Sequence, residues 1–302
     1  MQIIDVLIDP ILPVFAILAF GFGMGRTGKT SQDDARVLNK FSLSVLLPIF
    51  LFGLIAHAPM HDFSLPPVLI YGAAELVVFA AAFALALGVF KCQPGEAVLL
   101  AFAGIFTNTA LYILPISVIL YGKDNILPIT AQVTYDSVVT MAAAMIAVQA
   151  ISQGKVSLSA ILLRIAGTPM LQAVAAGTVV ALLGLRIPAP IETFITFAGT
   201  AAAPVALFAL GVAMSGTKFK LDAAVASFSA IKLVIFPIAV WGGLQLLVPS
   251  DPGRALYQLA AAGPSGAMAF SFALLYGVRT DRIAQVIVWT SVGSLITLAF
   301  LA

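Results

Sequence analysis

The sequence predicts an all-α polytopic membrane protein of ten transmembrane helices, arranged as two inverted five-helix repeats. The first observation behind this is composition. Of 302 residues, 61% are hydrophobic and only 9% are charged, and the mean hydropathy is +1.10. A soluble domain with a single anchor does not have that balance. The second is length: at roughly 30 residues per span and loop, the chain accommodates about ten crossings. The third is a set of internal matches at nearly one spacing, which divides the chain into residues 1–154 and 155–302.

Taken in order, the apolar runs place the first span at Val6–Gly25. Asp5 and Asp9 stand where a signal peptide needs positive charge, so this run is expected to remain as a span. The second is Val37–Ala56, the third Val68–Phe90 with Glu75 inside it, the fourth Ala97–Tyr121, and the fifth Ile126–Ile151 with Asp136 inside it. A short polar connection leads to Ile161–Leu185, Ile191–Met214, Ala223–Val248 with Lys232 inside it, Ala255–Tyr276 and Ile283–Ala302. No stretch is long or polar enough for a separate soluble domain. Lys and Arg alternate between loops: Arg26, Lys29, Arg36, Lys40, Lys91, Lys155, Arg164, Lys218, Lys220, Arg279 and Arg282 fall on one side, and only Lys123, Arg186 and Arg254 on the other. Positive charge stays inside, so both termini are expected on the non-cytoplasmic side.

The internal matches are individually weak. Leu47–Phe52 of the second span is similar to Ala203–Phe208 of the seventh, and Glu75–Phe79 of the third to Lys232–Phe236 of the eighth. Leu120-Tyr121-Gly122 returns as Leu275-Tyr276-Gly277, and Ala131-Gln132-Val133 as Ala284-Gln285-Val286. Their offsets are 156, 157, 155 and 153, in chain order. A repeat with an odd number of crossings must insert its second copy upside down, and inverted repeats with a site at their interface mark alternating-access carriers.

The fourth span cannot cross as one regular helix. Thr107, Asn108 and Thr109 bring hydrogen-bonding groups to its middle, and Pro115 lacks an N–H and clashes with the preceding turn. Broken helices in hydrocarbon need protein or water to satisfy the freed backbone, and half-helix N-termini can then face an anion.

Asn108-Thr109-Ala110-Leu111-Tyr112-Ile113-Leu114-Pro115 followed by Tyr121-Gly122 resembles the fourth-span motif of the auxin efflux carrier family. Gly263-Pro264-Ser265-Gly266 with Phe270, Ala273, Tyr276 and Asp281 is similar to that family's second diagnostic stretch. The resemblance covers essentially the whole chain. It implies a fold like that of sodium/bile-acid symporters, in which the fourth and ninth helices unwind where they cross. It also implies a scaffold of helices 1, 2, 6 and 7, a moving transport unit of helices 3–5 and 8–10, and a homodimer in the bacterial inner membrane. The implied substrate site is lined by Thr107, Asn108, Thr109, Tyr112 and Pro115 on one side and by Pro264, Ser265, Gly266 and Ser271 on the other. Ile113 stands where the family motif usually has glycine, and Ala269 where plant members often have a second proline. Between the repeats lies only about Ser152–Ala160 in place of a long hydrophilic loop. That shortness favours a bacterial-type carrier of small organic anions such as malonate or malate over auxin itself.

Asn108 can donate or accept without net charge, which suits holding a carboxylate; it can equally cap the broken backbone. Ser265 and Ser271 offer the same chemistry, although serine often bonds its own helix. Glu75, Lys232 and Asp136 are candidates for an ion pair or a coupling site, because ionisable groups at membrane depth are expensive and mark pathways. Glu75 and Lys232 occupy corresponding repeat positions and are expected to meet. Gln132 and Gln285 recur at matching repeat positions, as shared ancestry alone would give. His57 and His61 flank Pro59 at a span end and are expected to be interfacial, not metal ligands; Trp241 and Trp289 likewise suit packing or the interface. Cys92 is the only cysteine, which excludes an intrachain disulfide. No cofactor, metal or nucleic-acid partner is expected, and there is no phosphate loop or Ser-His-Asp set. The expectation is a secondary active transporter or uniporter of small organic anions working by an elevator mechanism. A sodium- or proton-coupled symporter of another solute is the alternative, with a channel or an intramembrane enzyme, on Glu75 and Asp136, more remote.

Overall fold

The computed structural model describes residues 12–58, 63–122, 125–153, 157–216 and 220–301, and every regular element among them is helical. Readings that rest on Pro59, His61, Asp62, Lys123, Lys155, Lys218 or the start of the first span lie outside the described residues. The helices are α1 (Leu12–Arg26), α2 (Gln32–Ala56), α3 (Leu65–Gly88), α4 (Pro94–Ile105), α5 (Thr109–Tyr121), α6 (Leu127–Ile151) and α7 (Leu158–Ala166). They continue with α8 (Pro169–Leu182), α9 (Ala189–Ser215), α10 (Ala223–Leu247), α11 (Arg254–Ala262), α12 (Met268–Leu275) and α13 (Asp281–Leu301). Five of these, α2, α3, α6, α9 and α10, are long and apolar enough to cross a membrane, and α1, α4, α5 and α8 are shorter apolar helices.

Prolines explain most of the irregularity. The predicted sixth span is interrupted between α7 and α8 just before Pro169, and α9 carries a turn at Thr200 and Ala201 ahead of Pro204, which has no N–H for the carbonyl one turn back. Among the described residues there are four π-helical turns: Ser42–Leu46, Thr109–Ile113, Asp136–Thr140 and Ile231–Ile235. Three of them end two residues before Pro48, Pro115 and Pro237. Widening the spiral there lets each proline ring clear the carbonyl below it without stopping the helix. Pro115 is therefore accommodated inside α5, and the break in the fourth span falls earlier, at residues 106–108. The turn at Asp136–Thr140 has no such proline.

The chain forms two compact units, each assembled from separate stretches of sequence. Unit one comprises Met1–Phe63, Ala110–Thr134 and Arg164–Thr217. Its helices α1 and α9 approach at backbone distance: a Cβ on Gly21 would lie 2.2 Å from the Phe208 carbonyl oxygen, and one on Gly211 would lie 2.0 Å from that of Leu18. Small residues permit such contact where lipid offers no hydrophobic drive between helices. The buried Ser42 hydroxyl donates to the Ala202 carbonyl at 2.9 Å, and Gln32 Nε2 to that of Val212 at 2.8 Å, fixing α2 against α9.

Unit two comprises Ser64–Thr109, Tyr135–Leu163 and Lys218–Ala302. Its helix α3 packs against α4 and α10, and α10 and α11 both pack against α13. The buried residues of α3, Tyr71, Glu75, Val78, Ala82 and Ala86, recur every three or four positions and so form one face. That face carries a carboxyl in place of an aliphatic side chain. At one edge of the unit Asp222 caps α10, accepting from the Val225 N–H at 2.8 Å and from Arg282 Nε at 3.0 Å, while Arg279 bonds the buried Glu96 at the start of α4. Burial raises the Asp222 carboxyl, but the Val225 N–H and the Arg282 bond and charge together hold it below its usual range.

Candidate substrate site

Two helices of unit two stop in mid-run, α4 at Ile105 and α11 at Ala262, and both continue into extended backbone at Phe106 and Gly263. The two extended stretches pair. Asn108 N–H donates to the Pro264 carbonyl and Gly266 N–H to the Phe106 carbonyl, each at 2.9 Å, so that Thr107 and Ser265 form an antiparallel bridge. Each break thus supplies the hydrogen bonds that the other lacks, which is what a low-dielectric setting demands. Glycine is required at position 266, since a Cβ there would lie 2.6 Å from the Phe106 ring and 3.3 Å from the Thr107 carbonyl oxygen.

The polar groups at this crossing differ in how far they are satisfied. Asn108 is half-buried, and while its N–H holds the bridge, its side-chain amide takes no partner among the described residues. Ser265 is buried and its N–H donates to Thr290 Oγ1 at 3.1 Å; its hydroxyl, like that of the buried Thr109, has no partner among the described residues. Ser271 is exposed and its hydroxyl turns back to the Ala267 carbonyl at 3.4 Å, as serine commonly does in a helix. Tyr112 and Pro115 belong to unit one, where Tyr112 is buried edge-on against Phe15 with ring centroids 5.4 Å apart.

The charged candidates lie beside the bridge. Lys232, on the π turn of α10, is fully buried. Its ammonium donates to Thr107 Oγ1 at 2.6 Å and to the Ala261 carbonyl at 3.0 Å, and stands 4.5 Å from the centre of the Phe236 ring. Ala261 is in the last turn of α11, so the positive charge meets the negative end of a helix dipole. Glu75 does not take that ammonium as its bonding partner. It accepts from the hydroxyl of Thr140, one turn after Asp136 on α6, at 2.7 Å.

Tyr71, Thr140, Thr290 and Thr297 were not evident from sequence. Tyr71 OH lies 3.4 Å from Thr107 Oγ1, and Thr297 Oγ1 is 3.4 Å from the Ala262 carbonyl it donates to, at the end of α11. A signal was present for part of this set: Thr290, Ser294 and Thr297 recur at helical spacing along α13, a polar line in an otherwise apolar run. Away from the crossing, His57 hydrogen-bonds the Gly53 carbonyl at 2.8 Å and faces Glu192 at 3.4 Å in unit one, and Trp289 Nε1 donates to the Lys220 carbonyl at 3.0 Å in unit two.

Comparison with known proteins decides the family. A sequence profile described as membrane transport protein, that of the auxin efflux carriers, matches residues 6–154 and 153–302. The chain belongs to this family. A protein of Rhizobium meliloti (strain 1021) named "Putative malonate transporter" is 27% identical over 294 residues, covering 95% of this chain and 92% of the relative. The "Uncharacterized transporter YfdV" of Escherichia coli (strain K12) is 27% identical over 249 residues, covering 77% and 76%. Membership in the auxin efflux carriers, together with the apolar helices, identifies a multi-pass membrane protein of a transport family and points to a transporter rather than an enzyme.

Proposed function

We propose that this protein is a carrier of small organic anions, auxin-like molecules or mono- and dicarboxylates such as malonate, and that it binds them where the broken fourth and ninth spans cross. The observation that carries this is the fully buried Lys232 ammonium bonded to Thr107 at the bridge, next to the unengaged Asn108 amide and Ser265 hydroxyl. A fixed positive charge with neutral donors around it suits a carboxylate better than a cation or an uncharged solute. The name of the Rhizobium relative supports the substrate class. Lys232 also holds the carbonyl end of α11, the place where a coupling cation would otherwise be useful, so transport is proposed not to need sodium.

Transport is proposed to follow an elevator form of alternating access in a homodimer of the inner membrane, with both termini on the non-cytoplasmic side and residues 1–154 and 155–302 as inverted repeats. The division of helices supports it in part: the first, second and seventh spans and most of the sixth fall in unit one, and the third, eighth, ninth and tenth in unit two, whereas the fourth and fifth are divided, Ala110–Thr134 falling in unit one. Unit one would be the scaffold and unit two the moving part. A sodium- or proton-coupled symporter of another organic solute is the second reading.

Malonate counterflow in proteoliposomes tests the proposal. Wild-type exchange is expected to be equal in sodium and in choline buffer, and Lys232→Met is expected to abolish it even when combined with Glu75→Gln to remove the unbalanced carboxyl. An active double variant would reduce Lys232 to a structural role. Strict sodium dependence would overturn the cation-free reading.

A further inference from the structure

His57 and Glu192 meet within unit one, away from the crossing. His57 is the residue at which α2 ends, and Glu192 lies in the first turn of α9. Glycines bring these helix ends together. A Cβ on Gly53 would lie 2.4 Å from Ile195 Cγ2, and one on Gly199 would lie 3.1 Å from the Phe50 Cα, so α2 and α9 approach more closely than larger residues would allow. Along this contact the imidazole Nε2 stands 3.4 Å from Glu192 Oε2, and both side chains are about half-exposed. A cavity of about 240 Å³ adjoins them, with Thr196 and Thr200 also in its lining.

The other ring nitrogen determines what the gap between them can hold. Nδ1 lies 2.8 Å from the Gly53 carbonyl oxygen, and a carbonyl only accepts, so Nδ1 carries the hydrogen. In the neutral ring Nε2 then presents a lone pair to a carboxylate oxygen, and two acceptors face each other. Something positive belongs between them. A proton is one answer, but charge-assisted N–H···O contacts close to about 2.7–2.9 Å, well under the observed 3.4 Å. A tetrahedral Zn²⁺ is the other: with bonds of about 2.1 Å to nitrogen and oxygen at an angle of about 109°, its ligand atoms stand about 3.4 Å apart. Zinc-bound histidines also commonly donate their remote N–H to a backbone carbonyl, which fixes the tautomer and the ring orientation. We infer that His57 Nε2 and Glu192 Oε2 bind Zn²⁺, with water from the adjoining cavity in the two remaining positions. Spacing along one helix argued against a metal on His57 and His61; here the second ligand comes from another helix. No third His, Cys, Asp or Glu joins the pair among the described residues, so binding is expected to be reversible and much weaker than at a four-ligand structural site. The metal clasps the end of α2 to the start of α9, on the side proposed to be non-cytoplasmic, where external metal has access.

This inference does not depend on the transported substrate, and its test needs no transport. Zn²⁺ is expected to raise the Tm of the tag-free protein in detergent by several degrees, whereas Mg²⁺, which prefers an octahedron of oxygens, is expected to leave it unchanged. His57→Ala and Glu192→Gln, with gel-filtration profiles like that of the wild type, are each expected to lose the gain. A second measurement uses the wild type alone: Zn²⁺ is expected to protect His57 from carbethoxylation by diethyl pyrocarbonate, followed by mass spectrometry, because reagent and metal compete for Nε2. No Zn²⁺-induced gain in the wild type overturns the inference and leaves the two side chains as a simple ion pair. A gain that survives in either variant, or that Mg²⁺ reproduces, overturns it as well. So does carbethoxylation of His57 that Zn²⁺ does not slow.

Discussion

Asn108 has two separable duties at the crossing. Its N–H holds the bridge to Pro264 at 2.9 Å, a bond that Asn108→Ala retains, while its side-chain amide, without a partner among the described residues, can meet a ligand. Asn108→Ala is therefore expected to leave thermal stability in detergent nearly unchanged and to abolish malonate binding, measured as loss of ligand-induced stabilisation; uptake with unchanged apparent affinity would remove Asn108 from the site. The polar triplet at 107–109 was legible in sequence because three hydrogen-bonding side chains in an apolar run have few structural excuses. The division of labour among them was not. Thr107 looks no different from Thr109 as a residue type, yet one is bonded to an ammonium that lies 125 positions further along and the other has an unpartnered hydroxyl. Ser265 read as a residue that would bond its own helix, but the break removes the helical carbonyl it would have used, and the hydroxyl stays buried without a partner among the described residues. Asp136 and Glu75 were both visible as intramembrane carboxyls; that Glu75 accepts from Thr140, one turn after Asp136, depends on how α3 and α6 pack, which local sequence does not encode.

At the scale of helices, proline and hydropathy pull in different directions. Pro48, Pro115 and Pro237 were readable as disturbances, but whether a proline ends a helix or is absorbed by a wider turn depends on the carbonyls that surrounding helices can satisfy. Apolar continuity made the sixth and seventh spans look unbroken, and their interruptions before Pro169 and at Thr200–Ala201 emerged only in the fold. The π turn at Asp136 has no local signature at all; its last residue, Thr140, donates to Glu75 on another helix. Helix ends are more predictable. Asp222 caps α10 and pairs with Arg282, which holds its carboxyl below the ordinary value against the opposing effect of burial. A carboxyl lowered in the folded state stabilises above its unfolded pKa, about 3.9 for aspartate, and that contribution disappears as pH falls through the lowered folded value. Asp222→Ala is expected to cost about 1 kcal/mol at neutral pH, the usual penalty for losing an N-cap. Thermal unfolding of the variant in detergent should accordingly show a lower Tm at pH 7 and a smaller further loss on acidification than wild type.

For the whole molecule, composition made the membrane class legible and four weak matches carried the expectation of a repeat, but nothing local specified which helices associate. Units one and two each draw on both halves of the chain, a long-range arrangement that apolar periodicity does not specify. If the second and seventh spans form the seam of a homodimer, cysteines on outward positions of α2 and α9, with Cys92 replaced, are expected to crosslink between protomers in native membranes; crosslinks confined to α5 or α12 would reject that seam. The long-range arrangement also bears on how the protein is made. Thr107 waits 125 residues for its ammonium, which at about 5–20 residues per second is roughly 6–25 s of translation. Glu75 is synthesised earlier still. From the synthesis of Asp136 until that of Lys232 the nascent chain has both intramembrane carboxyls and no ammonium to balance them, so the presence of Lys232 distinguishes a finished carrier from a prematurely terminated one, and membrane quality control could sense the difference as an unneutralised charge.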